Sequence, residues 1–426
     1  MLDGITRFVR RTLPAALVLT AGCVGEHPQT MVEPVSEFGR IQIALWATVT
    51  WWTVGILVVV FGALIFILVR YRERPDSPEP KPIYGSTKLE IAWTVIPALI
   101  ILFIAIPTIR AIFDTQAEPP DDALVIEAIG HQWWWEFRYP QHDLITANEF
   151  YVPVGRPLAL RLRSADVIHS FWIPRFGGKK DVNPVPRTPE GVDPLHRNVI
   201  SLTVDSAGHY LGQCAEYCGT SHAVMRMMAV AVEPAEFDAW VRDMKRPVEP
   251  SGEAAARGRE VFLGATCVAC HAINGTRAQG RIGPDLTLFG ERWSIGAGLL
   301  DNNESNLADW ILNAPALKHG ILMPGARIAA GGMAPTGLSR EQAESIAAYL
   351  SDLRRPITGR LPAPGPAASD ADAETPEAQE AGPQEEAEPQ AGEAQETDPA
   401  AAGAVGAPAV PAPTQDVDDP TAADPR

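Results

Sequence analysis

The chain has 426 residues, five cysteines and a formal charge of −17. Residues 361–426 hold fifteen acidic residues against one basic, so the charge belongs to that tail and the remainder is close to balanced. With no basic surplus anywhere, nucleic-acid binding is disfavoured; in a chain long enough for two or three ordinary cores the cysteines point to chemistry rather than stapling.

Arg7, Arg10 and Arg11 precede an apolar run, Leu13 to Leu19, that ends in "TAGC". This predicts an export signal over residues 1–23 with lipidation at Cys23, although Thr20 departs from the usual lipobox. The alternative is an uncleaved leader with an incidental thiol. From Ile43 to Val69 there is no charge, and Trp46, Trp51 and Trp52 gather near the start, as in a membrane-spanning helix with an interfacial aromatic belt. A second span runs from Ile91 to about Phe113, with Pro97 and Pro107 inside it and Arg110 near its end. The connecting loop carries Arg70, Arg72, Arg74, Lys81 and Lys88, whereas no Lys or Arg lies between Arg110 and Arg138. That asymmetry puts the loop in the cytoplasm and everything after residue 114 outside.

Between residues 120 and 245 the texture changes to short runs such as "ALVIEAIG", "LALRLRS", "NVISLTV" and "MMAVAVE", separated by Gly, Pro and Asp. These predict an all-β antiparallel sandwich. Residues 252–356 have helical periodicity in "EAAARGREVFLG", "NLADWILNA" and "SREQAESIAAYLSDL", with Ser339 and Gln342 spaced as a capping box. The Ala/Pro/Glu-rich tail, 357–426, is predicted to be disordered because it cannot bury enough apolar surface to offset chain entropy.

Two segments carry chemistry. "GQCAEYCGTSHAVM" gathers Cys214, Glu216, Cys218, His222 and Met225. On a helix the donors at offsets of four, eight and eleven from Cys214 would fall within about 80° of one another; Gly212 and Gly219 favour a tight loop instead. Thiolate with thioether selects a soft ion, and methionine points to copper rather than zinc. "DVIHSFWIP" offers a second imidazole, His169. A Cys214–Cys218 disulfide with Met225 as core packing is the competing reading. Downstream, "CVACH" has the c-type haem pattern: Cys267 and Cys270 for the vinyl groups and His271 for the iron. "IGPDLTLFG" resembles the loop of class I cytochromes c in which Pro284 orients the axial imidazole, and "ALKHGILMPG" resembles the segment carrying the distal ligand. Met323 is the expected ligand and Met333, in "GGMAP", its competitor.

The paired spans, "LEIAWTVIP", "GHQWWW", "DVIHSFWIP" and "GQCAEYCG" with its following histidine and methionine resemble subunit II of haem-copper cytochrome c oxidases over residues 40–245. With the second segment, the whole resembles the caa-type enzymes, whose subunit II carries its own cytochrome c domain. The resemblance implies a multidomain membrane protein: a two-helix transmembrane hairpin over 40–114, an all-β Greek-key cupredoxin domain over 115–245 and an all-α class I cytochrome c domain over 252–356. It implies a binuclear copper centre (CuA) bridged by Cys214 and Cys218, with His169 and His222 terminal, Met225 axial and the Glu216 carbonyl as the last ligand. It further implies that electrons enter at Trp133, that Glu90 lies at the mouth of a proton path into subunit I, that the Glu216 side chain reaches a magnesium shared with that subunit, and that Asp166 braces the His169 loop. Where the family commonly has Asp-x-x-Pro-Gly-Arg, this chain reads "KDVNPVPRTPEGVDP", which puts the local contacts of Asp181 and Arg187 in doubt. The implied activity is electron transfer from cytochrome c, or from a quinol:cytochrome c reductase, through haem c and CuA to subunit I. That subunit reduces oxygen to water and pumps protons in a bacterial inner membrane, with subunit III as a further partner. A nitrogen-oxide reductase subunit is the alternative; a copper chaperone would need no haem domain, and a quinol-oxidase subunit would lack the copper donors.

Overall fold

The computed structural model describes residues 27–72, 82, 84–184, 187–188, 191–192 and 198–355. Cys23 with its leader, the Arg187 side chain and the tail beyond residue 355 lie outside the described residues.

The hairpin consists of α1 (Glu37–Arg70) and α2 (Thr87–Thr115). Both are apolar all round and long enough to cross a membrane, and their spanning windows bury nothing within the chain. At 34 residues α1 is about 50 Å long, well beyond the thickness of a hydrocarbon core. It therefore starts six residues before the uncharged run. The extra turns are held by the soluble part. Ser36 caps the helix through Gly39 N (3.0 Å) and donates its hydroxyl to Phe176 O (2.6 Å), Glu37 accepts from Thr203 N (2.8 Å), and Arg40 pairs with Asp205. Pro97 and Pro107 sit inside α2 without ending it.

Two five-stranded sheets follow. Their strands are β1 (Leu124–His131), β2 (Trp134–Tyr139), β3 (Leu144–Ala147), β4 (Glu149–Pro153), β5 (Pro157–Ser164), β6 (His169–Trp172), β7 (Lys180–Val182), β10 (Asn198–Thr203), β11 (Gly208–Cys214) and β12 (Arg226–Val232), with a two-strand ribbon of β8 (Arg187–Thr188) and β9 (Gly191–Val192) between β7 and β10. The strand orders are β10-β5-β1-β2-β3 and β4-β12-β11-β6-β7. Leu124, Ile126, Phe137, Phe150, Leu160 and Phe171 fill the space between the sheets with no exposure above 2%. One expectation is corrected: the sandwich is mixed, because β1 pairs with β5 and β4 with β12 in parallel. A hairpin cannot make a parallel pair. The β2–β3 excursion and the crossing of β4 into the other sheet supply the required crossover.

After α3 (Pro234–Met244) come α4 (Glu253–Gly264), the single turn α5 (Cys267–Cys270), a small ribbon of β13 (Ser294–Ile295) and β14 (Leu300–Asp301), α6 (Glu304–Leu317) and α7 (Arg340–Asp352). The expected capping box at Ser339 and Gln342 is formed at the start of α7. α4 crosses α7 at Gly258, where a Cβ would lie 1.8 Å from Ser345 O, so only glycine permits the approach. α6 leaves helical geometry at Asn313, two residues before Pro315, whose ring and missing N–H break the ladder.

Candidate metal and haem centres

Register brings the donors of the first centre together. Cys214 ends β11 opposite Phe171 of β6, and Ala215 N donates to Ser170 O (3.0 Å), which sets His169 beside Cys214 although 45 positions separate them. The segment after Cys214 is a loop and not a helix, with one 3-10 turn at His222–Val224. Gly219 adopts φ +114°, and Cys214 N closes the loop on Met225 O (2.9 Å).

The two sulfurs lie 3.7 Å apart, far beyond a disulfide bond, and both cysteines are free. His169 Nδ1 lies 3.8 Å from Cys214 Sγ and His222 Nδ1 3.6 Å from Cys218 Sγ. Met225 Sδ is 3.8 Å from Cys218 Sγ and the Glu216 carbonyl 3.2 Å from Cys214 Sγ. All six expected donors converge. Asp166 Oδ1 accepts from His169 Nε2 (2.7 Å), which fixes the tautomer and turns the Nδ1 lone pair toward the sulfurs. The same carboxylate accepts from Gln132 N and Val167 N, so it braces the loop as well as the ring.

In the second centre Cys267, Cys270 and His271 line a largely apolar cavity together with Met323 and Met333. His271 Nδ1 donates to Pro284 O (2.8 Å), leaving Nε2 as the free lone pair, and burial lowers the imidazole's pKa. The cavity has a further wall in Gln132, Trp133 and Trp134, which come from the β-sandwich.

Three family matches cover these parts: the cytochrome c oxidase subunit II transmembrane domain at residues 41–111, its periplasmic domain at 141–232, and cytochrome c at 255–354. Cytochrome c oxidase subunit 2 of Alkalihalophilus pseudofirmus is 37% identical over 360 residues, spanning 81% of this chain and 97% of the relative. The chain belongs to the cytochrome c oxidase subunit II family. Subunit 2 of Bacillus subtilis is 33% identical over 338 residues, 74% of this chain and 92% of its own. The solved periplasmic domain of subunit II from Bradyrhizobium japonicum is 32% identical, covering 29% of this chain and 94% of that one, with a TM-score of 0.26. As a subunit II with a cytochrome c domain, the protein is a two-span membrane component of a haem-copper oxidase, associated with other oxidase subunits. Copper as CuA and haem c are the groups its domains imply.

The donor chemistry fits both groups. Hydrogen bonding with Cys218, and then with His169, lowers the Cys214 thiol against the effect of burial, while the adjacent Cys214 pushes Cys218 far up. Two like charges this close cannot both form without positive charge between them, which a pair of copper ions supplies. His169 is buried, which opposes protonation, but Asp166 and Cys214 outweigh this and raise its pKa.

Trp133 is buried, and its indole N–H donates to Cys218 O (3.0 Å), a carbonyl that also accepts from the Gln132 amide (2.8 Å). Glu90 is exposed in the first turn of α2, and the Glu216 carboxylate lies 3.6 Å from Lys179 Nζ. Asp181 lies on β7, its carbonyl accepting from Asn198 (2.7 Å). Sequence reasoning missed Lys318 and Glu149. Glu149 is buried on β4 and accepts from Trp293 N (2.8 Å) and Ser294 N (3.2 Å) of the cytochrome domain. Neither had a signal beyond being a charged residue in an otherwise apolar segment.

Proposed function

We propose that this subunit receives electrons on its cytochrome c domain and delivers them through its copper domain to subunit I of a terminal oxidase. Subunit I reduces oxygen to water and pumps protons. Haem c and CuA each supply a one-electron site of small reorganisation; the chain's own residues hold and orient them. Cys214, Cys218, His169 and His222, with Met225 and the Glu216 carbonyl, are the residues that would hold the coppers. Cys267 and Cys270 would anchor the haem, and His271 with Met323, rather than Met333, would hold its iron.

The observation that carries this reading is Trp133: its indole N–H is bonded to the carbonyl of Cys218, and the residue also lines the haem cavity. One residue therefore borders both centres. Its buried face also means that a separate cytochrome c, or a quinol:cytochrome c reductase, docks on the cytochrome domain rather than on the copper domain.

The domains we assign are 40–114, 115–245 and 252–356, with the connecting loop in the cytoplasm and both redox domains outside a bacterial inner membrane. Glu90 then lies at the mouth of a proton path in subunit I. The Glu216 carboxylate would leave Lys179 for a magnesium at the subunit I interface, and subunit III completes the complex. The test is metal analysis and turnover of the complex from native membranes. Two coppers and one haem c per chain, with oxygen uptake driven by reduced cytochrome c, are expected. Consumption of nitric or nitrous oxide in place of oxygen, or loss of neither copper nor respiration in Cys214→Ser, would overturn the reading.

A further inference from the structure

One contact between the copper and cytochrome domains is used by neither metal binding nor haem attachment. Lys318 follows the break at the end of α6 and is only 3% exposed. An ammonium has three protons to donate, and here each has a backbone carbonyl: Trp133 O at 2.8 Å, Val224 O at 2.7 Å and Gly296 O at 2.6 Å. Trp133 and Val224 belong to the copper domain and Gly296 to the cytochrome domain. Val224 lies between the donors His222 and Met225, and Trp133 is the residue bonded to Cys218 O. One side chain thus ties the copper-ligand loop, the connecting tryptophan and the cytochrome domain together at one point.

The neighbouring residues continue the contact. Ser221 donates its hydroxyl to His319 O (2.7 Å). Gly320, at φ +81°, lies so close to the Trp133 ring that a Cβ would come within 2.6 Å of it. Beyond this turn, Arg226 N donates to Ala297 O (3.0 Å), and Trp293 N and Ser294 N donate to Glu149. A buried cation is costly unless its protons are fully satisfied, and each buried carbonyl it leaves is left unpaired. The two domains can separate here only by exposing both kinds of group together.

We infer that Lys318 is a positioning residue: it pins the cytochrome domain on the copper domain in the pose where Trp133 walls the haem cavity. The inference rests on the function proposed above for its purpose, but on the contacts alone for its existence.

The amides of Arg226, Trp293 and Ser294 report on the pin, since each donates across the domain boundary. In the purified complex, Lys318→Met keeps the apolar stem and removes the donors. Hydrogen exchange at these three amides should accelerate about ten- to a hundredfold, with exchange in β5 and α7 unchanged. Haem-to-copper electron transfer after flash reduction should slow by about tenfold or more while the optical signatures of both centres stay those of the wild type, a separation that general destabilisation does not produce. If Lys318→Met fails to accumulate, Gly320→Ala decides, because its methyl group pushes the same turn off Trp133; the same exchange pattern is expected. Wild-type exchange at the three amides in the variant that accumulates would overturn the inference. Missing copper in the wild-type complex would instead overturn the electron-transfer reading, with the exchange result still deciding on the pin.

Discussion

Asp166→Ala tests whether the copper loop is organised from outside its ligand set. The carboxylate accepts from His169 Nε2 at 2.7 Å, Gln132 N at 2.6 Å and Val167 N at 2.7 Å. Alanine leaves His169 Nε2 without its acceptor and releases the Gln132 backbone, and with it the residue whose amide holds Cys218 O. Loss of such an outer partner typically lowers metal affinity by about 10–100-fold, which corresponds to about 1.4–2.8 kcal/mol. Asp166→Asn keeps one acceptor for the imidazole but turns an amide toward backbone donors, so an intermediate loss is expected. The assay is competition for copper between the complex and a chelator, followed by the near-infrared absorption of the centre. Wild-type retention of copper by Asp166→Ala would show that the ligands hold their own geometry, and the reasoning would be wrong.

Met323→Leu should abolish the methionine–iron charge-transfer band of the oxidised haem, whereas Met333→Leu should leave it; the reverse result would exchange the two assignments. Gly258→Ala sets a gain of about 1 kcal/mol in helix propensity against a Cβ placed 1.8 Å from Ser345 O. Overpacking costs of about 1–3 kcal/mol or more should win, so thermal unfolding of the haem domain should fall by several degrees; a rise would refute the tight α4–α7 crossing. Glu136 is buried, which pushes its pKa up, but His131 and Arg138 pull it below the ordinary 4.5. The unfolded state therefore binds the proton first as pH falls. The pair's stabilisation is complete above 4.5 and is lost as pH drops through the lower folded value. Glu136→Gln should flatten the acid limb of the stability–pH curve there, and an unchanged limb would exclude the pair as its source.

The sequence by itself determined the parts whose chemistry is local. Apolar runs without charge define spanning helices because a membrane admits no unpaired polar backbone. The Cys-x-x-Cys-His pattern sits on one helical turn and the Cys214 to Met225 spacing on one strand end and its loop, so their donors are neighbours however the rest folds. His169 was legible only as a histidine of suitable type. Its arrival beside Cys214 depends on β6 pairing with β11, a long-range register that composition does not encode. The mixed sheets were hidden for the same reason: a strand's alternation is identical whether its partner runs parallel or antiparallel. Lys318 and Glu149 were the least legible, since a charged residue reads as solvent-facing until tertiary packing surrounds it with carbonyls or amides from another domain. What only the tertiary structure decided is that Trp133, one of a tryptophan run, lies against Cys218 and also lines the cavity that holds Cys267, Cys270 and His271. Covalent proximity along the chain could not give this, because more than 130 residues separate it from the haem cysteines, and only packing closes that distance.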